Sequence, residues 1–181
     1  MATEFDDQTP LVALPGTEHA AGAAHSRLVL VEYGDYECPS CAAAEPVTRH
    51  LVDTFGGELT FVFRHYPLVD VHPHAELAAE AAEAAAAQGK FWAMHHLLFT
   101  HQKHLDMASL TKYAEQLELD MRRFNAEMAD HIYTQRVQEH RRAGDRLQLQ
   151  ASPTFFLNDV VVDVSFGLGH LESAVRAALA A

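Results

Sequence analysis

Arg27–Tyr33 (RLVLVEY) is a short, nearly continuous apolar run containing β-branched residues, bounded by Gly34-Asp35. Such a run fits a strand covered on both faces. From Cys38 to about Phe55 the spacing changes, and Ala42, Ala43, Val47, Leu51 and Val52 recur near helical intervals. Pro46 falls inside this helix and is expected to kink it, and Gly56-Gly57 ends it. Glu58–Tyr66 (ELTFVFRHY) reads as a second strand, rich in Phe and Val and closed by Pro67. From Pro73 to Gln138 strand-like runs give way to Ala, Glu and Leu, with breaks at Gly89, near Gln102–Asp106 and near Leu119-Asp120. Several helices are predicted here, among them Ser109–Leu119 and Asp120–Met128, each capped at its start. Another covers about His131–Arg142, with Gly144 as its end. Thr154–Leu157 and Val160–Val164 are short strands joined by Asn158-Asp159, a hairpin signal. A helix from about Leu168 to Ala180 closes the pattern.

The order is β-α-β, a helical block, then β-β-α. A strand–helix–strand unit implies a parallel pair with a right-handed crossover. The expected fold class is therefore α/β, a sheet domain interrupted by a helical insertion at about 72–138. Residues 1–24 mix Pro, Gly, Ala and acids without a period and read as an N-terminal arm, leaving 25–181 as the domain.

Composition narrows the functions. The chain has 181 residues, 49% of them apolar, enough for one domain with an ordinary core. A net charge of −12 argues against nucleic acid, whose phosphates call for a basic surface, and against an anionic membrane. No run approaches the roughly 20 apolar residues of a membrane helix. The opening stretch is acidic and lacks the basic and apolar regions of a secretory signal, so the expected location is cytoplasmic.

Only two cysteines occur, Cys38 and Cys41, in Cys38-Pro39-Ser40-Cys41. Two cysteines this close cannot staple distant segments. A structural zinc site needs four ligands, usually two such pairs. The remaining use is redox. Cys38 falls where the first strand gives way to the first helix, and unpaired N–H groups there favour a thiolate. Pro39 suits the first turn, where its missing N–H has no partner to lose. Cys41 lies one turn in, more buried, within reach to resolve a mixed disulfide.

Four segments, EYGDYECPSC, FRHYPL, QGKFWAMHHLLF and SPTFFLN, stand in this order. Together they resemble the DsbA-like branch of the thioredoxin superfamily, from about Arg27 onward. The resemblance implies a thioredoxin fold with an inserted α-helical subdomain and protein disulfide oxidoreductase activity. The partners it implies carry thiols or disulfides, on proteins or on glutathione-type small molecules. No organic cofactor and no metal is implied.

It further implies that Pro153, after Ser152, is a cis-proline facing the cysteines and meeting substrate. Taken alone, Pro153 is read as the start of an edge strand. Glu32 lies within the apolar run, where burial raises a carboxyl pKa, unless it reaches solvent at the strand end. In the resembled family, a buried acid at this place assists proton transfer at the inner cysteine. Asp35 and Glu37 are expected in solvent. Ser40 brings no charge, so the Cys38 pKa is expected between about 7 for thioredoxin and about 3.5 for DsbA.

Thirteen histidines include His72 and His74, His95-His96, and His101 and His104. They form no zinc motif and are expected as surface groups with a few packed imidazoles. Phe91, Trp92, Met94, Leu97, Leu98 and Phe99 form either core or the rim of a substrate groove. Ala78–Ala87 reads as a close-packed helix with a solvated acidic face. Two other uses stay open: a non-redox interaction or metal-binding module, and a glutathione-linked transferase or isomerase. The latter branch does not typically rely on two cysteines, so keeping both counts against it.

Overall fold

The computed structural model describes residues 18–23 and 26–181. The sheet contains β1 (His19–Gly22), β2 (Leu28–Gly34), β3 (Leu59–His65), β4 (Thr154–Leu157) and β5 (Val160–Val162). Their spatial order is β1-β3-β2-β4-β5. Strands β2 and β3 are parallel, joined by helix α1 (Pro39–Phe55), and the other neighbouring pairs are antiparallel. Helices α2 (Ala75–Ala86), α3 (Phe91–Thr100), α4 (Met107–Gln116), α5 (Met121–Ala129) and α6 (Thr134–Arg146) stand between β3 and β4. Helix α7 (Gly169–Ala180) follows β5. This is a thioredoxin fold with a helical insertion.

Strand β2 is covered on both faces because alternate residues enter different cores. Leu28 and Leu30 join the larger core with Cys41, Leu51, Phe61 and Phe63. Val31 and Tyr33 join Val62, Tyr66 and Phe156 on the other face. Glu32 has the parity of Leu30, so it projects toward the layer that holds the cysteines. Phe91, Met94, Leu97, Leu98 and Phe99 are core, and Trp92 is half-buried against it. Pro46 lies inside α1 without ending it.

Several elements depart from the sequence pattern. Residues 19–22 of the expected arm form β1, paired antiparallel with β3. The rest of that arm lies outside the described residues, apart from 18 and 23. The tetrapeptide HAAG has weak strand propensity, and its extended form comes from ladder bonds to β3. Helix α4 begins earlier than expected, because Asp106 caps it by accepting from the Ser109 amide at 3.1 Å. Gly144 lies inside α6 rather than after it. A Cβ there would stand 2.7 Å from the Tyr66 ring, so the glycine serves close helix–sheet packing. Asn158 and Asp159 both take positive φ, 46° and 69°, as a tight two-residue hairpin turn requires. The Asn158 side chain pins that turn to β2, accepting from the Val29 amide at 2.8 Å.

The acidic face of α2 is not solvated. Glu80 and Glu83 are buried. Glu80 meets His131 at 3.1 Å, and Glu83 meets His19 at 2.6 Å and His65 at 2.8 Å. Buried carboxylates persist when paired, and their partners come from distant parts of the chain.

His95 is also buried, its ring edge-on to Phe63 at 4.6 Å and Phe99 at 4.9 Å. Its Nδ1 lies 3.0 Å from the Tyr36 hydroxyl. Burial holds its pKa well below 6.5, aided by nearby His65, His19 and His96. The folded state then binds fewer protons than the unfolded one, so this contribution is complete above about pH 6.5 and stability falls as pH drops below it. Thermal denaturation of His95→Gln should show a shallower stability loss between pH 6.5 and about 5. The difference should reach up to about 1.4 kcal/mol per pH unit. An unchanged slope would show that His95 accepts its proton in the folded chain.

Candidate active site

The residues before α1 form a tight, side-chain-braced turn. Asp35 is its hub. Its carboxylate accepts from the Glu37 amide at 2.7 Å and the Leu68 amide at 2.8 Å, and meets His72 Nδ1 at 2.8 Å. Its own amide donates to Cys41 Sγ at 3.4 Å. Asp35 is therefore 1% exposed, against the expectation of a solvated group. Three satisfied acceptor contacts account for its burial. Glu37 is half-buried and accepts from the His74 amide at 2.6 Å. Gln102, from the inserted segment, donates to the carbonyls of Tyr36 at 2.8 Å and Cys38 at 2.9 Å. Segments on both sides of α2 thus fix one loop.

This bracing leaves Cys38 as the N-cap of α1, with extended backbone, and Pro39 and Ser40 exposed in the first turn. Cys38 keeps a narrow 7% exposure, and Cys41 keeps none. Both are free thiols. The Cys41 thiol, donating to Cys38 Sγ, is the main cause that lowers the Cys38 pKa to about 5, against the opposing cost of burial. The Cys41 and Ser40 amides lower it further. Burial pushes Cys41 well above the ordinary thiol range, and its bond to Cys38 and the charge of Glu32 add to this. The two sulfurs are thus driven apart in acidity, one toward thiolate and one toward thiol.

Cys38 Sγ lies 3.3 Å from the Ser152 carbonyl oxygen. The Ser152–Pro153 peptide bond is cis. Thr154, the next residue, pairs with Tyr33 on β2, which sets this loop against the cysteine turn. Glu32 is 1% exposed, and its Oε1 has no hydrogen-bond partner among the described residues. Burial raises its pKa well above the carboxylate range, and the charges of Cys38 and Glu45 raise it further. A protonatable group thus stands near a thiol that must lose its proton.

Five residues singled out in the sequence, Glu32, Cys38, Cys41, Ser152 and Pro153, are brought together here. Sequence spacing missed His72, Asp35 and Gln102. Partial burial disfavours the His72 cation, but the bond to Asp35 and the charges of Asp35, Cys38 and Glu37 raise its pKa above 6.5. The site therefore has a group nearby whose cation is favoured, although Ser40 supplies none. Its alternate-residue pairing with His74 gave no sign of this, because the partner carboxylate lies 37 residues away.

Comparisons with known proteins follow the same lines. The thioredoxin family model matches residues 15–177. A Na(+)/H(+) antiporter NhaA 1 of Salinispora arenicola is 44% identical over 166 residues, 92% of this chain and 25% of that protein. The chain thus spans about a quarter of the length of such curated relatives. A thioredoxin-like oxidoreductase from Silicibacter pomeroyi superposes with a TM-score of 0.79 at 25% identity, over 92% of this chain and 94% of the other. The thiol-disulfide exchange protein alpha-DsbA2 of Wolbachia pipientis gives 0.78 at 21% identity, over 88% and 86%. With its fold and the match over nearly its whole length, the chain belongs to the thioredoxin family, in the DsbA-like form of that fold.

Proposed function

We propose that this chain is a thiol–disulfide oxidoreductase acting on protein clients, with glutathione-type small thiols as a second class of partner. The observation that carries the proposal is the split acidity of one cysteine pair, a narrowly exposed Cys38 lowered to about 5 beside a fully buried Cys41. A thiolate is the attacking form in disulfide exchange, and the protonated partner waits until it is needed.

In the reducing direction Cys38 thiolate attacks one sulfur of a client disulfide. A Cys38–client S–S bond forms, the client S–S bond breaks, and the other client sulfur leaves as a thiolate that takes up a proton. Cys41 then gives its proton to Glu32 in its ionised form, which the raised pKa makes a stronger base than an ordinary carboxylate, and attacks Cys38 Sγ. The Cys38–Cys41 disulfide forms and the second client thiolate departs. The client gains two electrons and the pair loses two. The oxidising direction is the reverse.

The Ser152 carbonyl, beside the attacking sulfur, marks where an extended client segment lies. Backbone pairing along Ser152–Pro153 would hold a client without regard to its side chains. The likeness to a thioredoxin-like oxidoreductase and to a thiol-disulfide exchange protein supports the reading. In the cytoplasm the pair rests as a dithiol, and reduction or isomerisation is its work.

Insulin reduction with dithiothreitol tests the proposal. Cys38→Ser should reduce the rate to the uncatalysed background. Incubated with insulin in the absence of dithiothreitol, Cys41→Ser should accumulate a mixed disulfide seen on non-reducing gels and cleaved when dithiothreitol is added. Full turnover by Cys38→Ser would refute it. Glu32→Gln should slow release of the mixed disulfide about tenfold or more near neutral pH, as loss of a positioned base does, while leaving its formation intact. An unchanged release rate would remove Glu32 from the proton path.

A further inference from the structure

A second convergence of chemically capable side chains uses none of the residues assigned above. His19 pairs with Phe63 across β1 and β3, and His65 is two residues beyond Phe63. By strand alternation the two imidazoles are diagonal neighbours on one face of the sheet. Glu83 reaches that face from α2. Its Oε1 lies 2.6 Å from His19 Nε2 and 2.8 Å from His65 Nε2. The three donor atoms lie within 4.8 Å of one another.

The surroundings hold this geometry firmly. The His19 ring stacks on Phe91 at 3.6 Å, with 5° between planes. His65 stacks on His140 at 5.5 Å, and its side chain is only 1% exposed. These contacts fix both ring planes and leave both Nε2 atoms aimed at one oxygen. Hydrogen bonding explains the cluster only as long as each imidazole keeps its proton on Nε2.

We propose that His19, His65 and Glu83 form a divalent-metal site, selective for zinc-like ions, that clasps the N-terminal strand and the inserted helices to the sheet. Two imidazoles and one carboxylate form a donor set that suits zinc in four-coordinate sites with one open position. Tetrahedral bonds of about 2.0–2.1 Å place neighbouring donors roughly 3.3 Å apart. The two N···O separations therefore widen by only about 0.5–0.7 Å on binding. An ion replaces both N–H···O bonds, and each imidazole proton moves to Nδ1.

His19 and Glu83 also line a surface cavity of about 790 Å³, bounded further by Glu18, Lys90, Phe91 and Arg136. The ion enters from this cavity, and its fourth ligand comes from the same side. Lys90 and Arg136 near that position favour a water or a small anion there. The site joins three segments distant in the chain, so loading is felt as stability.

The test uses the full chain carrying Cys38→Ser and Cys41→Ser, so that no thiolate competes for metal. Cobalt(II) titration should give one equivalent with a tetrahedral visible spectrum and no sulfur charge-transfer band. Zinc should displace it and raise the melting temperature. Adding His19→Ala should weaken binding more than about tenfold, as expected when a ligand is lost, while His104→Ala, at an exposed histidine, should leave it unchanged. Circular dichroism reports whether each variant folds. X-ray absorption on the zinc-loaded chain decides the matter without a ligand mutation. A shell of two imidazoles with carboxylate oxygen supports the site. No bound metal, another shell, or undiminished binding by a folded His19→Ala variant overturns it. None of these outcomes bears on the cysteine chemistry.

Discussion

The first turn of a helix presents N–H groups that have no carbonyl partner within the helix. Cys38 caps α1, so its sulfur stands where an anion is favoured by those amides and by the helix dipole. The Cys41 thiol, one turn on, adds a direct donor. Much of the surrounding structure serves to keep this arrangement. Asp35 and Gln102 brace the turn from opposite sides, and the Ser152–Pro153 loop closes over the sulfur. The fold supplies rigidity, and the Cys41 thiol, aided by the amides at the start of the helix, supplies the electrostatics.

Acidity is divided across the site by environment. Cys38 is stabilised as an anion, while Cys41 and Glu32, both buried, are held toward their neutral forms. Burial raises Glu32 toward the acidity of a thiol, so a proton passing from Cys41 to Glu32 climbs less than it would to an ordinary carboxylate. Ser40 brings no charge, but the bond to Asp35 favours protonation of His72 nearby. A thiol pKa near 5 falls between the values of about 7 and about 3.5 cited for thioredoxin and DsbA.

What could be read from sequence follows the range of each interaction. The β2–α1–β3 unit was legible because apolar spacing is local, and so was the cysteine pair at the strand-to-helix junction. The hidden features are those whose causes lie far along the chain. HAAG becomes a strand only because β3 offers it an edge. Glu83 is buried because His19 and His65, 64 and 18 residues away, meet it. Asp35 leaves solvent for the amide of Leu68 and the ring of His72. Gly144 looked like a helix end but makes room for Tyr66. In each case local composition stayed the same while a distant partner reversed its meaning.

The account stands on the state of one sulfur. Its most direct measure is the rate of Cys38 alkylation by iodoacetamide across pH, followed by mass spectrometry on the reduced chain. The account predicts a rate that rises with a midpoint near pH 5 and is already at its plateau by neutrality. A midpoint near 8.5, the value of an unperturbed cysteine, would contradict it.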